Sequence, residues 1–112
     1  MNKVKIENAL LAMGIKARTK GFNYIVDAIE MIDENENIGI TKGLYPKIAE
    51  KRNVSTTSVE RAIRHTFNTV RGEKGDYEYV NYYIGFINCG GGASLRQLHM
   101  LLKRESEEET SI

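Results

Sequence analysis

The chain has 112 residues, 41% hydrophobic and 28% charged, with a formal net charge of +1. That length allows one domain, 1–112, with room for a real core. No apolar run is long enough to span a bilayer, so no membrane partner is expected. Met1 to Lys5 lacks the apolar stretch of a secretory signal, and the single cysteine, Cys89, excludes an internal disulfide framework; both point to a cytoplasmic, reducing location.

Ile6, Ala9, Leu10 and Met13 recur at helical spacing, which predicts a first amphipathic helix over Asn2 to Met13, ended by Gly14 in a left-handed conformation. Phe22, Ile25, Ala28, Ile29 and Ile32 mark a second helix, Lys20 to Asp33, and the polar stretch Glu34 to Ile40 reads as a loop. Pro46 suits the first turn of a third helix, because the N–H it lacks has no partner there. That helix runs to Arg52. A fourth follows over Thr56 to Arg71, a turn at Gly72 and Gly75, and a fifth, aromatic-rich helix over Tyr77 to Ile84. Asn88 to Gly92 reads as a flexible loop, Leu95, Leu98 and Leu102 as a sixth helix, and the charged tail Glu105 to Ile112 as a fraying end. Strand signals are nearly absent, so the expected fold is all-α.

The charge is unevenly spread. Between Lys42 and Arg71 stand seven basic residues (Lys42, Lys47, Lys51, Arg52, Arg61, Arg64, Arg71) against two acids, a local balance of +5. The acids gather elsewhere, at Asp33, Glu34 and Glu36 and at Glu105 and Glu107 to Glu109. A nearly neutral chain can carry a basic face in this way.

The third and fourth helices fit a helix-turn-helix. Two helices that meet steeply need a small residue at the contact, which Ala49 supplies, and a turn residue tolerant of positive φ, which Asn53 supplies. Val54 and Val59 can fill the gap between them. Ser55 is the preferred cap of the fourth helix; Thr57 with Glu60 forms a rival capping box. On the fourth helix Val59, Ala62, Ile63, Thr66, Phe67 and Val70 fall on one stripe facing the core. Thr57, Ser58, Arg61, Arg64, His65 and Asn68 fall on the other side, with Glu60 on a flank. Arg can donate two bonds to the O6/N7 edge of guanine, Glu can accept from cytosine N4, and Ser, Thr and Lys commonly hold phosphates. The expected DNA-binding residues are therefore Lys42, Lys51, Ser55, Thr57, Ser58, Glu60, Arg61, Arg64, His65 and Asn68, and the expected partner is double-stranded DNA.

The strings Lys20-Gly21-Phe22-Asn23-Tyr24 with Asp27-Ala28-Ile29, Ile40-Thr41-Lys42-Gly43-Leu44-Tyr45-Pro46 with Ile48-Ala49, and Val59-Glu60-Arg61-Ala62-Ile63-Arg64-His65 are more specific than a generic motif. They closely resemble the DNA-binding effector domain of the sporulation stage-zero master response regulator of endospore-forming Firmicutes, from about Ala9 to Arg71 and more loosely beyond. The resemblance implies a compact six-helix domain, winged-helix-like but without a clear wing. It implies binding to a TGNCGAA-type box, in tandem or paired copies as a homodimer or tandem dimer, and activation and repression of sporulation promoters. It also implies contact with the RNA polymerase sigma subunit. Residues matching Glu60 and Arg61 read bases, and the one matching Arg64 grips the DNA. Three departures stand out. No receiver domain with a phosphorylatable Asp fits in the chain, which is read as either an excised domain or a natural stand-alone form; only a stand-alone form would lack a switch by its own phosphorylation. Ser58 replaces a basic residue. The segment from Gly72 to Ile112, the region in which part of the family's sigma-contacting surface lies, diverges.

Other signals point to no further chemistry. His65 and His99 lack Cys, Asp or Glu at metal-ligand spacing, so no metal is expected. Cys89 has no His partner in a nucleophile motif and reads as a free thiol. Gly90 to Gly92 is no phosphate loop, since no Gly-Lys-Ser/Thr follows. Tyr77, Tyr79, Tyr82 and Tyr83 suit core and interface more than a stacking platform. No acid/base pair or nucleophile constellation appears, and neither catalysis nor a cofactor is expected. The rival to DNA reading is a receiver-less protein-interaction module, an antagonist that pairs with the full-length regulator or with sigma through the aromatic fifth helix.

Overall fold

Helix starts are set by side-chain caps. Asn2 accepts a bond from the amide of Val4, Thr19 from Phe22, Ser55 from Ser58 and Asp76 from Tyr79. Each satisfies an amide that the first helical turn leaves without a backbone partner. The computed structural model describes residues 1–72 and 74–110, and its described residues form six α-helices and no strand: α1 (Lys3–Met13), α2 (Lys20–Glu34), α3 (Tyr45–Arg52), α4 (Thr56–Arg71), α5 (Tyr77–Tyr83) and α6 (Gly91–Thr110). A π-helical turn, Ile40–Leu44, leads directly into α3. Gly14 ends α1 at φ 97°, and its amide bonds back to the carbonyls of Leu10 and Leu11. That conformation strains any residue with a Cβ.

The apolar stripes meet in one core. Ile6, Leu10 and Met13 of α1, Ile25, Ile29 and Ile32 of α2, Val59, Ile63 and Phe67 of α4, and Leu95, Leu98 and Leu102 of α6 are all buried. The long helix α2 lies at the centre, packed on α1, α3, α4 and α6. Every residue of the predicted stripes of the first two helices is buried, as are Val59, Ile63, Phe67 and Val70 of the fourth. Ala62 and Thr66 are only half-buried: Gly21 at the start of α2 covers them in part, and the rest of each lines an open hollow.

Three sequence expectations are corrected. The loop expected over Glu34 to Ile40 is shorter, since α2 continues to Glu34 and the π-helical turn starts at Ile40. Gly91 and Gly92, expected in a flexible loop, open α6. Their lack of a Cβ lets the helix start press against Tyr45 and Ile40. The tail expected to fray from Glu105 stays helical to Thr110. Glu105 accepts bonds from the hydroxyls of Tyr82 and Tyr83, and Lys5 of α1 pairs with Glu109 at 2.6 Å. Exposed pairs of this kind are individually weak, but here they follow the buried Leu95, Leu98 and Leu102, which anchor the helix.

Candidate nucleic-acid interface

α3 and α4 are joined by Asn53, Val54 and Ser55. Asn53 sits at φ 56°, ψ 49°, the left-handed conformation that stops α3, and its amide bonds back to Ala49 and Glu50. Asn tolerates this region better than most residues with a Cβ. Val54 packs on the core from a partly buried position, Val59 is fully buried, and Ala49 is buried at the contact. Ser55 is the cap: its hydroxyl accepts the Ser58 amide at 3.1 Å and lies 2.8 Å from the Ser58 hydroxyl. The rival capping box from Thr57 to Glu60 does not form. Glu60 instead pairs with Arg64 one turn along, at 3.2 Å.

The outer side of α4 presents Thr57, Ser58, Glu60, Arg61, Arg64, His65 and Asn68, all exposed, as a continuous polar face. Ser55 and Lys42 are exposed at its approaches, Lys42 in the π-helical turn before α3. The Glu60–Arg64 pair is about half-exposed on both sides, so it contributes only about 0.3–0.5 kcal/mol and exchanges readily for contacts to a ligand. Tyr45 lies beside this pair. Burial raises the pKa of its hydroxyl, Glu60 raises it further, and Arg64 acts the other way.

The basic surface is narrower than the sequence count. Arg71 turns away from it, bonding the carbonyls of Ile84, Gly85 and Cys89 and the hydroxyl of Ser94. Arg52 chelates the buried Asp27 at 2.7 and 3.0 Å, and Lys51 holds the same carboxylate at 2.9 Å. Lys51, expected to hold DNA, thus already has a partner, though its side chain is half-exposed. Burial works to raise the pKa of Asp27, but the bonds from Arg52 and Lys51 outweigh it and hold the carboxyl below its ordinary value. Lys42, Lys47, Arg61 and Arg64 are left facing solvent on or beside α4. Sequence reasoning counted Lys47 among the basic residues without placing it at the site. It is exposed on the first turn of α3, the helix that precedes α4.

A small cap, a left-handed turn residue and an exposed polar face on the second of two packed helices joined by three residues define a helix-turn-helix domain. The family model for the sporulation initiation factor Spo0A C terminal matches residues 6–90. The chain belongs to this family. It is a DNA-binding, transcription-regulating domain of the sporulation response-regulator type, a family of DNA-binding domains and not of enzymes. Among the described residues no helix is long and apolar enough to cross a membrane. No group of three or more His, Cys, Asp and Glu among them could hold a metal ion. His99 is buried and lies 3.0 Å from Asp33, bridging α6 to α2, and Cys89 is exposed.

Proposed function

We propose that the domain reads a TGNCGAA-type box by inserting the first turns of α4 into the major groove. The continuous exposed face from Thr57 to Asn68 carries this reading. Arg61 stands at its centre and is exposed, with its fork of donors suited to the O6/N7 edge of guanine. Glu60 accepts from a cytosine N4 once Arg64 turns to a phosphate. Ser55, Thr57, Ser58, His65 and Asn68 line the groove walls, and Lys42, Lys47 and the free half of Lys51 hold the backbone. With Ser58 in place of a cation, the first turn of α4 reads or holds one contact fewer.

A fluorescence-anisotropy titration of box and scrambled duplexes at near-physiological salt tests the proposal. A hundredfold preference, about 2.7 kcal/mol, is expected for the box. Arg61→Ala should cost about 1–3 kcal/mol on the box and little on the scramble. Equal loss on both would exclude base readout by Arg61.

One observation favours a second reading. Tyr77, Tyr79, Tyr82 and Phe86 are exposed, Ile87 is 85% exposed, and the Tyr77 and Phe86 rings stack at 5.2 Å. Exposed aromatic surface of this kind suits a protein partner, here the RNA polymerase sigma subunit or another copy of the regulator. Capture of sigma that needs Tyr77 and Phe86 but tolerates Arg61→Ala would support it, and capture unaffected by Tyr77→Ala would exclude this face.

A further inference from the structure

The first turn of α2 presses directly on α4. A Cβ on Gly21 would collide with the Thr66 hydroxyl and stand 3.0 Å from the Ala62 carbonyl, so only glycine allows this approach. At about 100° per residue, Ala62, His65, Thr66 and Thr69 form one flank of α4. Glu60 and Arg64 form nearly the opposite flank, and Arg61 and Asn68 lie between. Tyr45, and with it the start of α3 bearing Lys47, sits on the Glu60–Arg64 flank. The α1–α2 connection sits on the other.

That second flank holds a hollow of about 360 Å³. Ile15, Ala62 and Val70 give it an apolar floor, and Lys16, Lys20, Lys74 and His65 ring it. The three lysines are exposed, and no ion pair engages them among the described residues. A helix lying in a major groove about 12 Å wide has one sugar-phosphate strand on each side. Under the proposed docking, the strand on the Glu60–Arg64 flank runs past the start of α3, where Lys42 and Lys47 are exposed. We infer that the hollow around Lys16, Lys20 and Lys74 seats the other strand, with deoxyribose carbons over the apolar floor and phosphates at the lysine rim. The domain then grips both strands across the groove it reads. This rests on the proposed docking of α4, and it adds to the DNA surface the lysines of the α1–α2 connection and the start of α2, with Lys74, which lie outside the helix-turn-helix.

The experiment is a salt series, from roughly 50 to 200 mM, on the intact chain. Wild type, the double variant Lys16→Ala/Lys20→Ala and the charge-keeping Lys20→Arg are titrated against box and scrambled duplexes. Each lost phosphate contact should lower the slope of log affinity against log salt by about 0.9. The double variant should weaken on both duplexes alike and keep the preference for the box, and Lys20→Arg should keep the wild-type slope. Both lysines are exposed, so the thermal midpoint should not move. An unchanged slope in the double variant, with wild type bound, overturns the second grip and leaves the α4 reading standing. A wild type that binds without preferring the box overturns sequence reading by α4, while the slopes still report on the grip. Anilinonaphthalene sulfonate, a small apolar anion, supplies the other arm. Duplex should expel the dye that wild type binds and the double variant does not, and retention of that lysine-dependent fraction in the DNA complex would assign the hollow to a small ligand and overturn the inference.

Discussion

Arg71 ends α4, and its guanidinium donates to the carbonyls of Ile84, Gly85 and Cys89 and to the hydroxyl of Ser94, the closest contacts at 2.7 Å. In the sequence it looks like one more cation of a basic stretch. Only the fold shows that the chain after α5 turns back across it and that α6 brings up Ser94, which is fully buried. Partial burial depresses its pKa, yet guanidinium stays charged at any ordinary pH. Truncation would leave those carbonyls without a strong donor in a half-buried site. Arg71→Ala should therefore cost about 1.5–3 kcal/mol of stability in urea unfolding, with no loss of affinity per folded molecule for a scrambled duplex. A variant as stable as wild type but weaker on DNA would return Arg71 to the nucleic-acid surface. Asn53, by contrast, was legible from sequence, because the requirement for positive φ is local and few residue types meet it.

At the scale of elements, the angle between α2 and α3 is held by Asp27 with Arg52 and Lys51. The carboxylate is 2% exposed, while its partners are 35% and 52% exposed. Removing the acid frees two cations that already reach water, and removing a cation strands a buried charge. Asp27→Asn should cost about 1–3 kcal/mol at neutral pH, and Arg52→Ala more than Lys51→Ala, because Arg52 supplies two of the three bonds. Since folding lowers the Asp27 pKa from its ordinary 3.8, the stability it contributes is present above that value and is lost as pH falls through the folded pKa. The gap between wild type and Asp27→Asn should be constant at neutral pH and should close below about pH 4. A gap independent of pH down to acid unfolding would mean that the charge on Asp27 contributes nothing. Periodicity located both helices and stripe membership located their buried faces. It could not place Asp27 inside, since an Asp one position from a run of apolar residues is ordinarily a solvent-side residue and only its cationic partners on α3 make burial tolerable. The π-helical turn was equally hidden: Ile40 to Leu44 has no period of its own, and its shape follows from seating Leu44 in the core just before Pro46.

For the whole molecule, the family match stops at residue 90 and α6 begins at Gly91, yet the core runs on through it. The candidate DNA face was legible because amphipathic α4 repeats one pattern over four turns. The lysine-rimmed hollow was not, because Lys16, Lys20 and Lys74 are brought together only when Gly21 lets α2 close on α4. The reach of α6 was underread for a related reason. Its charged end resembles a loose tail, and the pairing of Lys5 with Glu109 joins residues near opposite ends of the chain. Leu95, Leu98 and Leu102 are fully buried against α2 and α4, so α6 braces α4, which carries the candidate face, and α2, which packs on it. Leu98→Ala should accordingly cost about 2–5 kcal/mol, the range for emptying a core leucine site. Met100→Ala, on the half-exposed side of the same helix, should stay within about 0.5 kcal/mol. Urea unfolding of the two variants separates the cases. A Leu98→Ala cost no larger than that of Met100→Ala would make α6 an appendage to a domain complete without it. The expected cost means instead that the fold of this chain extends beyond the residues the family model matches, and that α4 is braced on its buried side by α6.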